Sequence, residues 1–258
     1  FYKRTDMAMP ELTPDFIKEF AAYLSTEAGL RNGSIWANCM WLKGVVMKAH
    51  YNGLIPRNPF IQFHISPNVK EREYLTEDEL KAVMTHEFAD SKLAYIRDIF
   101  IFASFTALSF VDIQELTNDN IVEVNGEKWI LSKRHKTKVA FQVKLLDIPL
   151  QIVERYRPMQ KDNRIFPGLN YWSICKPLKR MIRECGITKS ISFHCSRHGF
   201  ATLALSKGMP IESVSRVLGH TNIVTTQLYA KITTQKLDND LTMFGDKLSK
   251  TFNGITMS

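Results

Sequence analysis

The sequence predicts a mainly α protein with a small antiparallel β-sheet, built as a helical domain followed by an α+β domain. Three observations carry this. Apolar residues recur at helical spacing from Pro10 to Asn52 and again beyond Thr76. Between Ile121 and Leu145 the apolar period shortens to two, around an Asn-Gly pair. A polar, aperiodic stretch from His64 to Glu73, containing Pro67 and preceded by Pro56 and Pro59, separates the two regions as a linker.

Each element has a local reason. Thr13-Pro14 opens the first helix, because proline suits the first turn. Phe16, Ile17, Phe20, Tyr23 and Leu24 give it an apolar face. Ser34 is the expected cap of a second helix, running through Trp36, Met40, Trp41, Val45 and Met47 to Gly53. Thr76-Glu-Asp-Glu79 is a capping box that starts the second domain. Ala94 to Phe110 is apolar nearly all round, so it is expected as a central helix. Ile121–Val124 and Lys128–Leu131 flank Asn125-Gly126 as a hairpin, and Val139 to Leu145 supplies a third strand. Pro149 reopens helix, and helices continue to the end.

The composition excludes several classes. Hydrophobic residues make up 45% of the 258 residues and charged ones 23%, as in ordinary globular proteins. The most apolar stretch, Ile99 to Leu108, is too short to span a bilayer and contains Ser104 and Thr106. The four cysteines are scattered without a Cys-x-x-Cys pair, so free thiols are expected and no zinc site. The chain starts at Phe1 rather than methionine and shows no signal peptide, so it is expected to be a fragment lacking an N-terminal part.

A formal net charge of +8 favours a polyanionic partner. Lys128, Lys133, Arg134, Lys136, Lys138 and Lys144 crowd the small sheet against Glu127. Lys176, Lys179, Arg180 and Arg183 recur at helical spacing and line one face, as a stripe following a phosphate backbone would.

The residues that bear chemistry lie between positions 194 and 229. They are His194-Cys-Ser-Arg197-His198, then Leu218-Gly219-His220, then Tyr229. Tyrosine supplies an oxygen nucleophile. Arginine supplies a planar fork that matches non-bridging phosphate oxygens, and histidine moves protons near neutral pH. His194 and Arg197, three apart near a helix start, can share a face. Gly219 caps a short helix begun at Pro210, placing His220 in a tight turn, with Thr221 or Asn222 capping the next helix and Tyr229 about two turns into it. Singly, each residue reads as ordinary packing, a cap or surface. His194 and His198 are spaced like metal ligands, but no His-Glu-x-x-His pattern accompanies them and no metal is expected.

In this order and spacing the residues resemble the tyrosine recombinases, also called the phage-integrase family, and in particular integrases of conjugative transposons and other mobile elements. The resemblance covers nearly the whole chain. It implies a helical core-type DNA-binding domain (SAM-like) over residues 1–66, a linker over 67–73 and an α+β catalytic domain with a C-terminal tail over 74–258. It also implies a site-specific integrase that cuts and rejoins DNA through a 3′-phosphotyrosyl intermediate. Tyr229 would be the nucleophile, Arg197 and His220 the phosphate donors and His194 the proton acceptor. A lysine on the hairpin turn protonates the leaving oxygen in the family. Lys136 is assigned that role, with Lys133 and Lys138 as alternatives on the DNA-binding surface.

One position departs from the family pattern. Where a first arginine follows Thr-Gly-Leu, this chain has Thr106-Ala107-Leu108-Ser109. Either the chain is inactive, or another arginine reaches the phosphate. Arg134, two residues before Lys136 on what is expected to be a mobile turn, is the preferred substitute. Asp112 follows Ser109 by three residues and is given only an orienting role, and His198 is assigned to the scaffold.

The implied partners are double-stranded DNA, a homo-tetramer on DNA and accessory DNA-bending proteins, in the bacterial cytoplasm at the nucleoid. No cofactor and no membrane are implied. The tail around Met243, Phe244 and Leu248 is the expected exchanged segment between neighbours. Two other readings fit the same helices. One is a non-enzymatic regulator using Arg197–Ser206 and Pro210–Leu218 as a helix-turn-helix. The other is a type IB topoisomerase-like nicking enzyme.

Overall fold

A computed structural model describes residues 6–67, 73–160, 162–230 and 234–253. The chain divides into two compact units, Phe1–Glu71 and Arg72–Ser258.

The first unit is helical. α1 (Pro14–Thr26) starts at Thr13, whose side chain accepts from the Phe16 N–H. α2 (Asn32–Tyr51) ends where Gly53 takes φ +73° and the Leu54 N–H bonds back to the Ala49 carbonyl. One expectation needs correcting here. α2 begins two residues before Ser34, on an Arg31 that makes no side-chain cap. Its buried face is Ile35, Cys39, Val46 and Ala49, while Trp41 and Val45 are exposed. The middle of the expected linker, residues 68–72, lies outside the described residues.

The second unit opens with α3 (Glu77–Thr85), held by the reciprocal Thr76–Glu79 capping box. α4 (Ser91–Thr106) is the central helix. Ile99, Phe100, Ile101, Phe102 and Ala103 are all buried on it, so it is enclosed on every side. It ends four residues short of the expected Phe110, because Ala107 turns left-handed at φ 57°. Ser109 then caps a separate short helix, α5 (Phe110–Gln114).

The sheet has strand order β1-β2-β3, all antiparallel: β1 (Ile121–Val124), β2 (Glu127–Lys133) and β3 (Ala140–Lys144). Asn125 and Gly126, both at positive φ, form the first turn. Val124 stands opposite Glu127, and Ile130 opposite Val143. Ile130, Phe141 and Val143 point to the core.

Helices complete the unit: α6 (Asp147–Tyr156), α7 (Tyr171–Glu184), α8 (His194–Ser206), α9 (Ile211–Leu218), α10 (Val224–Gln227) and α11 (Thr234–Thr251). α4 packs against α6, α7 and α8, and α9 packs against α8, α10 and β3. A separate small cluster of Ala107, Ala201, Leu205, Val214 and Leu218 joins the end of α4 to α8 and α9. α11 exposes Leu237, Leu241, Phe244 and Leu248, four, three and four residues apart, as an apolar stripe. Among the described residues, no helix is long and apolar enough to cross a membrane.

Candidate active site

The site forms where the ends of α4, β2 and α9 meet the start of α8. The left-handed turn at Ala107 leaves its carbonyl free to accept 2.8 Å from Arg197 Nη1. Arg197 Nη2 donates to the Leu218 carbonyl. One residue earlier, the Val217 carbonyl accepts 2.6 Å from Arg134 Nη2. The last carbonyls of a helix have no intrahelical partner and carry its negative dipole end. The C-terminus of α9 therefore holds both guanidiniums side by side, against their mutual repulsion.

Among the described residues, Asp112 supplies the carboxylate contact to this pair, and α5 positions it. Ser109 Oγ donates 2.7 Å to Asp112 Oδ2 in the capping box. Arg134 Nη1 donates 2.8 Å to the same oxygen, and the His135 N–H donates 3.0 Å to Oδ1. Burial by itself would raise the Asp112 carboxyl. The bonds from His135, Arg134 and Ser109 outweigh burial and hold it below its ordinary value. His135 Nδ1 also meets Glu115 at 2.8 Å, a second grip of this region on the β2–β3 turn.

Arg134 is 5% exposed and Arg197 8%. Burial lowers the pKa of both; for Arg197 burial and the neighbouring Arg134 charge bring it to about 10. Arg134 stacks over the Phe141 ring at 4.1 Å, and its buried Nε has no hydrogen-bond partner. The expectation of a mobile turn is thus corrected for Arg134. It closes β2 with backbone bonds to Val139 and Lys138 at 2.8 Å each, and its side chain is locked in the interior.

His220 follows Gly219, which takes φ +62° as the cap of α9. The His220 N–H returns to the Ser215 carbonyl, and Nδ1 meets Oγ1 of the buried Thr226 at 2.9 Å. Burial, and then the charges of Arg197, Arg134 and His194, lower its pKa to about 4, so the ring is neutral near pH 7.

Tyr229 does not lie inside a helix. α10 is a single turn, and Tyr229 sits two residues beyond it, with its N–H on the Thr226 carbonyl at 3.0 Å. Asn222 Oδ1 accepts from the Val224 N–H near the start of that turn. The Tyr229 ring is half-buried and lies 6.5 Å from the His220 ring, with the planes 13° apart. It also meets the His198 ring in T-shaped contact at 4.9 Å, and His198 meets His194 at the same distance. Four rings thus run His194, His198, Tyr229, His220. His198, read from sequence as scaffold, lies inside this row. Its i, i+4 relation to His194 and its place in the His194-Cys-Ser-Arg197-His198 motif were the signals available.

The remaining candidates are more dispersed. Lys136 is exposed at the tip of the β2–β3 turn, flanked by exposed Lys133 and Lys138. Lys176, Lys179 and Arg183 are exposed on α7. Arg180 is tied to Glu184 at 2.8 Å and Asp90 at 3.3 Å, so the α7 stripe has one neutralised member. On the sheet, Lys128 pairs with Glu154 and Lys144 with Glu127. Counting acids within the sheet alone missed Glu154, which α6 contributes. All four cysteines are free thiols.

A buried pair of guanidiniums thus stands beside a neutral imidazole and a half-buried tyrosine, which concentrates positive charge next to a phenol. Comparison with known proteins places this arrangement. Residues 73–236 match the profile of the phage integrase family, and residues 1–65 match the phage integrase SAM-like domain. The chain belongs to the phage integrase family of tyrosine recombinases. It is 32% identical over 177 residues to tyrosine recombinase XerA of Pyrococcus horikoshii, covering 63% of this chain and 58% of that protein. It is 25% identical over 229 residues to XerC of Lactobacillus leichmannii, covering 83% and 77% respectively. The fold matches the Tn1549 transposon integrase solved with a circular intermediate DNA, at a TM-score of 0.77 and 18% identity over 91% of this chain and 86% of that one.

Proposed function

We propose that this chain is a site-specific DNA recombinase that integrates or excises a mobile element. The observation that carries the reading is the pairing of Arg134 and Arg197 on adjacent carbonyls of α9, with Tyr229 stacked on His220 beside them.

Tyr229 Oη attacks the scissile phosphorus, giving a 3′-phosphotyrosyl bond, and the 5′ oxygen leaves. His194 accepts the phenol proton, passed along the row of rings, and Lys136 on its exposed turn protonates the leaving oxygen. Arg197 and Arg134 hold the non-bridging oxygens, and His220 donates a further bond. Each such oxyanion contact contributes about 3–4 kcal/mol to the transition state. A 5′-hydroxyl from a partner strand then reverses the step. One phosphodiester replaces another of similar energy, so the exchange needs no nucleotide fuel.

Arg134 takes the place of the arginine missing at Ser109. The acid that would buttress that arginine, Asp112, binds Arg134 instead, and Ser109 completes the acid's hydrogen bonding. Lys133, Lys138, Lys176, Lys179 and Arg183 follow the phosphate backbone of double-stranded DNA, with Arg180 contributing only if it leaves its acids.

The reading also takes residues 1–66 as the core-type DNA-binding domain, 67–73 as linker and 74–258 as the catalytic domain. Four protomers act on two duplexes, aided by DNA-bending proteins, in a bacterial nucleoid. The exposed stripe of α11 supports exchange of C-terminal helices between neighbours, since its apolar side chains need a cover.

A nicked suicide duplex carrying a candidate attachment site tests the chemistry. Wild type is expected to form a covalent protein–DNA band that Tyr229→Phe cannot form. A wild type that binds this DNA and never links to it overturns the reading.

A further inference from the structure

We propose that Trp172 reads the 5-methyl group of a thymine in the major groove of the target duplex. The inference rests on the DNA-recombinase reading and adds a specificity-determining residue to it.

α7 is sharply two-sided. Ile174, Leu178, Met181 and Ile182 are buried on one face. Trp172, Lys176, Lys179 and Arg183 recur four, three and four residues apart, so they stack along the opposite face. Trp172 is 83% exposed, the most exposed large hydrophobic side chain among the described residues. Apart from the edge contact with Tyr171, an indole in that position gains little from the fold of its own unit.

Its surroundings select the partner. The cations beyond it on the same face favour a polyanion over an apolar protein surface or a second copy of this basic chain. The α7 start is also linked to the site through ring contacts. The Tyr171 ring meets Trp172 at 5.8 Å and Phe110 at 5.5 Å, and Phe110 is the first residue of α5, whose Ser109–Asp112 box holds Arg134. A duplex seated at the paired guanidiniums therefore has the N-terminal end of α7 at hand.

The chemistry of the groove completes the assignment. An α-helix about 10–12 Å across fits a major groove about 12 Å wide, and residues near a recognition helix's N-terminus reach base edges. Phosphate contacts from Lys176, Lys179 and Arg183 fix position but carry no base information. The apolar feature that a major groove offers is the thymine methyl, and an indole face covers it.

Selection of bound duplexes from a randomised pool, using the full chain, tests this. Wild type is expected to enrich a motif with a thymine at one position that Trp172→Ala no longer prefers. Deoxyuridine for thymidine there should weaken wild-type binding about threefold to tenfold and leave Trp172→Ala unaffected, with circular dichroism confirming that the variant folds. Lys176→Ala should instead weaken every sequence alike and reduce the salt slope by about one. The proposal is overturned if the two motifs are identical, or if no deoxyuridine substitution weakens wild type, an outcome that needs no variant. A pool that enriches no motif in wild type brings down the recombinase reading as well, so the two failures are distinguishable.

Discussion

Arg134 lies over the bare backbone of Gly219. A Cβ added to Gly219 would sit 2.9 Å from Arg134 Nε and 3.0 Å from its Cγ. The glycine between Leu218 and His220 thus does two things. It takes the left-handed φ of +62° that caps α9, and it leaves the space through which Arg134 reaches the Val217 carbonyl.

Gly219→Ala should therefore act as an indirect loss of Arg134. The left-handed conformation alone costs a non-glycine residue about 1–2 kcal/mol. The methyl must also push the guanidinium off its acceptors. Cleavage of a suicide duplex is expected to fall about 100-fold, an oxyanion-contact loss, with DNA affinity within a few-fold of wild type. Normal cleavage by Gly219→Ala would show that Arg134 does not need this position.

Arg134→Ala should lose cleavage about 100- to 1,000-fold while binding survives. Arg134→Lys should stay defective, because an ammonium cannot reach Asp112, Val217 and a phosphate together as a planar fork does. Asp112→Asn tests the same link from the other side. Breaking a buried ion pair costs about 3–5 kcal/mol, so its chemical-denaturation midpoint should drop as well as its activity. Single-turnover rates near wild type for Arg134→Ala would remove it from the mechanism.

How far these links are visible in sequence differs by element. The capping box at Thr76, the Asn125-Gly126 turn and the amphipathic α7 all announce themselves, because each depends on neighbours within a turn or two. The end of α4 does not. Ala107 adopts a left-handed φ although alanine carries no such preference, and the tertiary bond from Arg197 to its carbonyl accompanies that choice. The buried face of α2, Ile35, Cys39, Val46 and Ala49, is not marked by its largest apolar residues, since Trp41 is exposed. At the site, residue identities were legible as a motif. The acceptors that gather them, the carbonyls of Ala107, Val217 and Leu218, have no sequence signature, because every residue has a carbonyl.

His220 gives the pH dependence. Its folded pKa of about 4 lies below the ordinary histidine value of 6.5, owing first to burial and then to Arg197, Arg134 and His194. Between those values the unfolded chain binds a proton that the folded chain does not. The contribution of neutral His220 to stability is therefore full above pH 6.5 and is lost as the pH falls towards 4. Thermal midpoints should decline over that window, and less steeply in His220→Gln. Proton NMR of the His220 ring should give a midpoint near 4 in the free protein and a higher one with duplex DNA bound, since a phosphate favours the imidazolium. A free-protein midpoint near 6.5 would mean that the ring is solvated and not held against the guanidiniums.

His198 separates packing from proton transfer in the row of rings. It packs in T-shaped contact with both His194 and Tyr229 at 4.9 Å, so His198→Ala removes a wall of the tyrosine's seat. Edge contacts of this kind contribute about 0.5–1.5 kcal/mol beyond area burial, so the single-turnover cleavage rate should fall several-fold to about tenfold, with duplex affinity unchanged. His198→Phe keeps the ring and removes its titration. Recovery of the rate in that variant, with an unaltered pH profile, assigns His198 to positioning the phenol. A rate as low as that of His198→Ala, with the acid limb of the profile displaced, assigns it to carrying the proton from Tyr229 towards His194.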